Sequence, residues 1–216
     1  DKLLGSNIDL INKTTIQGSR ISESWASEQH FYFHIETDVP YQKARQLTKD
    51  GRHKLLLVFP KSTSKITLKV GISAVDQAGA QKNLEAEIPE WNLDQVRADV
   101  TRKWDSELNC IQFESKDRET MITFYTALYH SFLAPNIFSD MDGRYRGSDQ
   151  RIHQLSKTDG NQYTVFSLWD TYRSTHPLFT LVQQHRTVDF LRTFKRQFEE
   201  GGDLPVWELS ANETEC

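Results

Sequence analysis

Lys65-Ile-Thr-Leu-Lys-Val-Gly-Ile, residues 65–72, puts Ile66, Leu68, Val70 and Ile72 on one face of an extended chain. Beyond Asn92 the period changes, and Leu93, Val96, Val100, Trp104 and Leu108 recur at steps of three or four. A strand turns successive side chains to opposite faces, whereas a helix returns to the same face after three or four residues. The chain therefore reads as strands first and helices afterwards, that is, mixed β and α in separate domains.

Upstream of residue 65 the strand signals continue. Ile8, Leu10 and Ile16 precede Gly18, Ile21 to Trp25 follow, and His30-Phe-Tyr-Phe-His-Ile-Glu alternates in part. Lys54-Leu-Leu-Leu-Val-Phe ends at Pro60. Several short strands with no helix between them predict an antiparallel sheet, the C-terminal part of a β-sandwich over residues 1–75. So few strands leave one apolar face open.

Downstream, residues 76–109 read as a linker carrying one helix. Ala78 to Glu87 is polar and Ala-rich, and Asn92 is placed to cap the helix whose apolar stripe runs from Leu93 to Leu108. Residues 110–216 read as helical. Asp117 is placed to cap a helix through Leu133 with Met121, Tyr125, Leu128 and Phe132 on one side, ended by Pro135. Asp142-Gly143 predicts a turn, and Arg144 to Arg151, the densest basic patch, is expected on a solvated one. A helix starts near Trp169. Another covers Val188 to Glu199 with Val188, Leu191, Phe194 and Phe198 inward, and Gly201-Gly202 stops it.

Composition narrows the function. Of 216 residues 37% are hydrophobic, with 12 Phe, 7 Tyr and 5 Trp, enough for a large aromatic core. The net charge is −4 and no basic stripe stands out, so nucleic acid and anionic membrane are poor partners. No apolar run approaches the ~20 residues a membrane span needs. Cys110 and Cys216 form neither a disulfide framework nor a metal knuckle, and His30, His34, His53, His130, His153 and His185 lack ligand spacing.

Two segments carry chemistry. Tyr163-Thr-Val-Phe-Ser-Leu-Trp-Asp-Thr-Tyr-Arg and Leu204-Pro-Val-Trp-Glu-Leu-Ser-Ala-Asn-Glu-Thr each place a tryptophan directly before a carboxylate: Trp169-Asp170 and Trp207-Glu208. A flat aromatic face suits the C–H face of a sugar ring, and a carboxylate accepts hydrogen bonds from two neighbouring hydroxyls. Trp169, Asp170, Trp207, Glu208, Asn212 and Glu213 are the candidate sugar-binding residues. The competing account makes Asp170 a helix cap and the tryptophans core. Arg173 is expected to pair with a carboxylate and hold the turn, and His176 to pack rather than act as a base.

Phe124-Tyr-Thr-Ala-Leu-Tyr-His-Ser-Phe-Leu-Ala-Pro-Asn-Ile-Phe-Ser-Asp-Met-Asp-Gly-Arg-Tyr, Phe166-Ser-Leu-Trp-Asp-Thr-Tyr-Arg-Ser-Thr-His-Pro-Leu and Trp207-Glu-Leu-Ser-Ala-Asn-Glu-Thr-Glu-Cys closely resemble glycosyl hydrolase family 92, the calcium-dependent exo-acting α-mannosidases. Ser19-Arg-Ile-Ser-Glu-Ser-Trp-Ala-Ser-Glu-Gln-His-Phe-Tyr-Phe resembles that family's sandwich domain. The resemblance implies a β-sandwich followed by an (α/α)₆ barrel, of which residues 110–216 would be the first part. It also implies inverting hydrolysis of terminal α-linked mannose on glycans, in the periplasm, at the cell surface or in secretion from a glycan-degrading bacterium. Inversion uses two carboxyl groups about 6.5–9.5 Å apart, one protonating the leaving oxygen and one activating water. Calcium, an oxygen-seeking ion, would bind mannose hydroxyls, with its ligands outside this chain.

The family's segments associated with the general acid, the general base and calcium lie beyond this sequence. The expectation is a fragment cut inside the Asn-Glu-Thr motif, inactive alone, whose partner is the remainder of the same polypeptide. The alternative is a non-catalytic carbohydrate-binding protein, and a third reading is a helical interaction domain whose tryptophans are core.

Overall fold

The computed structural model describes residues 1–214. Its first part is an antiparallel sheet of β1 (Lys2–Leu10), β2 (Thr15–Glu23) and β3 (Gln29–Thr37), which β6 (Leu68–Ser73) joins at the β3 edge. A separate hairpin, β4 (Lys43–Lys49) with β5 (Arg52–Val58), lies against β1, where the Ser6 hydroxyl donates to the Gly51 carbonyl at 2.8 Å.

Helix α1 (Gln77–Glu87) then folds back onto the sheet. It sits so close to β6 that a Cβ on Gly71 would lie 2.1 Å from the Ala80 carbonyl oxygen. Ala80 and Leu84 are buried in this contact. The residues of β6 that face α1 are Lys69, Gly71 and Ser73. Lys69 tolerates burial because its ammonium donates to the Ile88 and Pro89 carbonyls at 3.2 and 3.3 Å, just beyond the end of α1, and lies 3.2 Å from Glu36. Leu68, Val70 and Ile72 share the opposite face, as their alternation requires, and that face is open, at 58%, 48% and 55% exposure. The open apolar face foreseen from the strand count is present. Residues 77–87 belong with the sheet they cover.

Helix α2 (Leu93–Leu108) starts where Asn92 accepts from the Gln95 amide, but its apolar stripe is not buried. No α2 residue falls in the buried class; α3 (Arg118–Ser131) lies beside it, and Glu107 near its end pairs with Gln183 and Arg186. Asp117 caps α3 through the Glu119 and Thr120 amides, and Leu128 is its buried residue.

The rest of the chain weaves short strands between helices. β7 (Asn136–Ile137) pairs with β10 (Tyr163–Thr164), and β8 (Arg144–Arg146) with β9 (Ile152–Gln154). β11 (Phe166–Ser167) runs directly into the single turn α4 (Leu168–Thr171), followed by α5 (Thr175–Val182) and α6 (Gln184–Gly201). Gly202 ends α6 in the left-handed region at φ 91°. Last come β12 (Trp207–Leu209) and β13 (Asn212–Glu213), which pair with β11 in a three-stranded sheet ordered β11-β12-β13.

The core of this half is aromatic. Tyr163, Phe166, Phe179 and Phe190 are buried together, and Phe166 meets Phe190 and Phe194 edge-on at 5.7 and 4.7 Å. His176 packs edge-on against Phe179 and Phe190, and burial lowers its pKa, as suits a packed histidine. Facing this cluster, α6 buries Phe190, Thr193 and Gln197. Of the four residues expected inward only Phe194 packs there; Val188, Leu191 and Phe198 are exposed. The helix carries apolar groups on more than one side, and the phenylalanine cluster selects which side it meets.

A polar seam joins the sheet to this half. Asp140 is buried and accepts from the Ser73 hydroxyl at 2.7 Å and the Asn83 amide at 2.8 Å. A Cβ on Gly79 would come within 2.1 Å of it. Arg144 bridges Asp76 at 2.6 Å and Asp142 at 2.9 Å, holding the Asp76 carboxyl below its usual range. Buried Arg146 donates to the Ala74 and Gln150 carbonyls. The Asp142-Gly143 turn forms as predicted, with Gly143 at φ 81°. The basic patch is not solvated at its start: Arg144 and Arg146 stitch the two halves together, because their length lets each guanidinium reach acceptors across the seam.

Candidate functional site

The six candidate residues converge on the β11-β12-β13 sheet. Ser167 pairs with Trp207, Phe166 with Glu208, Glu208 with Glu213 and Leu209 with Asn212. Side chains alternate across a strand, so Trp207 and Glu208 leave opposite faces.

On one face Trp169 and Trp207 come together, with ring centroids 6.2 Å apart at 47°. Trp169 is 69% exposed, so it is not core. Asp170 follows it on the surface, in the first turn of α4, and accepts a 2.5 Å hydrogen bond from the Ser167 hydroxyl. It caps no backbone amide of that helix. An exposed indole, a half-buried one and a solvent-facing carboxylate that bonds Ser167 therefore share one corner.

The other three candidates are engaged with protein. Glu208 is 4% exposed. Its carboxylate accepts from the Ala211 amide at 2.7 Å, the Thr164 hydroxyl at 2.9 Å and the Val165 amide at 3.0 Å. Burial pushes its pKa up to about 7 despite those three donors. Asn212 is a buried clamp: its carbonyl oxygen accepts from the Ser27 hydroxyl at 2.8 Å, and its amide donates to the Glu28 carbonyl at 3.0 Å. That ties the site to the loop between β2 and β3. Glu213 accepts from the Val206 and Trp207 amides at 3.0 and 2.8 Å and so fixes the backbone that carries the Trp207 indole.

The backbone beneath the corner is unusual. Val165, Ser210 and Ala211 lie at φ 68°, 50° and 65°, a region that favours glycine and is most costly for a β-branched residue. Ser210 and Ala211 make a two-residue hairpin turn, a place where Asn-Gly is the comfortable choice. No local signal in the sequence marks Val165 or Thr164, because their importance comes from Glu208, 43 and 44 positions away.

Behind the sheet lies a cleft of about 260 Å³ lined by Ser27, Gln150, Gln197, Glu208, Asn212 and Glu213 among others, without a basic side chain. Arg173 is exposed and finds no carboxylate among the described residues; its Nε donates to the Tyr172 hydroxyl. Cys110 is an exposed free thiol, and Cys216 lies outside the described residues. Among the described residues no three His, Cys, Asp or Glu side chains are grouped so that they could hold one metal ion. No described helix is long and apolar enough to cross a membrane.

The model of the glycosyl hydrolase family 92 catalytic domain matches residues 79–216. The fold of an α-mannosidase of family GH92 from Bacteroides thetaiotaomicron superposes on 98% of this chain with a TM-score of 0.88 and 32% identity. An inverting mannosidase of the same family and organism covers 98% with a TM-score of 0.85 at 22% identity, a likeness of fold alone. An uncharacterized secreted glycosidase of Arthroderma benhamiae is 30% identical over 95 residues, 42% of this chain. The chain spans 31% and 30% of the two bacterial structures and 12% of the fungal protein. It belongs to glycosyl hydrolase family 92.

Proposed function

We propose that this chain is the sugar-binding portion of an inverting exo-α-mannosidase that removes terminal α-linked mannose from glycans. The observation that carries the proposal is the pairing of exposed Trp169 with half-buried Trp207 beside Asp170, set in a chain of this family. An indole pair at an angle offers a hydrophobic corner for the C–H face of one hexose, and the adjacent carboxylate accepts from two of its hydroxyls.

The proposal extends to architecture. The β1-β2-β3-β6 sheet, with its open apolar face, is part of a β-sandwich, and α2 to α6, with apolar stripes left to solvent, form the first part of an (α/α)₆ barrel. The remainder of the same polypeptide would cover both surfaces and supply the general acid, the general base and the calcium ligands. The fungal relative named as secreted supports a place outside the cytoplasm.

The test is hydrolysis of α-1,2-linked mannobiose by the 216-residue chain and by the product of the complete reading frame, each with calcium and with a chelator. Activity in the longer product alone, removed by chelation and reduced at least about a hundredfold by Asp170→Ala, is the expected result. Hydrolysis by the short chain would overturn the division of labour. Sugar binding without hydrolysis in both would establish a lectin-like protein instead.

A further inference from the structure

Among the described residues, three of the five non-glycine residues in the left-handed region, Val165, Ser210 and Ala211, surround one carboxylate. Glu208 accepts directly from the amides of Val165 and Ala211. The third reaches it through a relay: the Ser210 amide donates to the Thr164 hydroxyl at 2.8 Å, and that hydroxyl donates to Glu208. Each strained peptide is therefore held by a hydrogen bond that ends on the same buried side chain. Hydrogen bonds to an ionised or strongly polar acceptor in a dry site are the strong kind, and strained backbone persists only where its surroundings over-determine it.

The strained residues lie at the roots of the aromatic corner. Val165 begins the segment that runs through β11 to Trp169 and Asp170, and Ser210-Ala211 is the turn of the β12-β13 hairpin that displays Trp207. We propose that Glu208 is a positioning residue for the sugar site: it pins the left-handed backbone at Val165 and Ala211, and so holds the two limbs that carry Trp169, Asp170 and Trp207 at their mutual spacing. The carboxylate faces away from the corner and touches no sugar. The functional half of this inference rests on the sugar-site reading above, whereas the geometric half does not.

Glu208→Gln separates the possibilities. A glutamine oxygen can keep the Thr164 and Ala211 donors, but its NH₂ then faces the Val165 amide, donor against donor. Val165 is released selectively. Adding Val165→Gly should repair the damage, since glycine adopts a positive φ without the hydrogen bond that valine needs to hold it there.

The variants are compared in the 216-residue chain labelled with 5-fluorotryptophan, by fluorine NMR and by titration with methyl α-D-mannoside. Glu208→Gln is expected to move the Trp169 and Trp207 resonances, leave those of Trp91 and Trp104 in place, and weaken sugar binding at least about tenfold. The double variant should recover most of both. Unmoved Trp169 and Trp207 resonances, or no recovery with Val165→Gly, would overturn the inference. So would weakened binding with the resonances unmoved, which would put Glu208 in direct contact with sugar. Should neither the parent chain nor the product of the complete reading frame with calcium bind mannoside while the resonances move and recover as described, the positioning role stands and the mannoside reading fails. If Glu208→Gln does not fold, Thr164→Val, which removes the relay to Ser210, must move the Trp207 resonance for the inference to survive.

Discussion

Two buried carboxylates in this molecule face different tasks. Asp140, in the seam, accepts from Ser73 on β6 and Asn83 on α1, groups 67 and 57 positions away, and has Arg144 and Asp142 close by. Glu208, beneath the aromatic corner, is held by donors of which two are backbone amides in strained conformations. Burial pushes the pKa of both upward. The seam uses its carboxylate to join segments that are already regular; the corner uses one to keep segments irregular. A side chain that joins tolerates a smaller substitute, while one that restrains backbone strain has no near equivalent.

The contrast can be broken most forcefully at Glu208. Glu208→Ala strands two amides and a hydroxyl in a dry site, and about 4 kcal/mol of folding stability should be lost in urea denaturation. A loss no larger than that of a surface substitution would remove the distinction altogether. The pH dependence comes next. Glu208 has its folded pKa raised from 4.5 to about 7, so the folded chain holds a proton there that the unfolded chain gives up. Its contribution is complete below pH 4.5 and fades as pH rises to 7, by up to about 3 kcal/mol at roughly 1.4 per unit. Burial also lowers the pKa values of His30 and His176, which opposes this fall, so the effect is read as a difference between two proteins. Denaturation midpoints at pH 4.5, 6 and 7.5 should show the parent losing stability relative to Glu208→Gln as pH rises, and a difference that does not change with pH would contradict it.

At the seam, Asp140→Ala should cost about 2 kcal/mol, since the Ser73 hydroxyl and the Asn83 amide lose their acceptor but sit among alternatives such as the Ile72 carbonyl, which Asn83 already donates to. It should leave the Trp169 and Trp207 fluorine resonances where they are. The smallest effect is a gain. Ala211→Gly removes the penalty of φ 65° and should raise stability by about 0.5–1 kcal/mol in the same assay, whereas the same exchange at Ala80, buried in the first turn of α1, should lower it.

Much of the local structure was legible. Asn92 and Asp117 announced helix starts, Gly201-Gly202 a helix end and Asp142-Gly143 a turn, because each depends on a few adjacent backbone groups. Legibility failed wherever a helix had to choose a face. Periodicity alone points Val188, Leu191 and Phe198 of α6 inward, yet the cluster around Phe166 and Phe179 turns Phe190, Thr193 and Gln197 inward instead. α2 shows a clean apolar stripe and buries none of it fully, with Trp104 against Tyr129 but Leu93 and Val100 exposed, since periodicity states which face is apolar and not how much lies against it. The Arg144 to Arg151 patch misled for a related reason: composition shows charge, but only packing shows that Arg144 and Arg146 meet acceptors across a seam.

The residues of the aromatic corner were nameable from sequence because Trp-Asp and Trp-Glu are contiguous, and contiguity survives folding. The order of strands before helices was likewise written in the switch from period two to period three or four. What each candidate does was decided only in three dimensions. The pleat of β12 sends Trp207 to one side and Glu208 to the other, and the strained turns at Val165 and Ala211 bring their amides onto a carboxylate more than forty residues from the first of them. Alternation and adjacency are local properties that sequence carries, whereas burial and hydrogen-bond partners depend on which distant segments fold together.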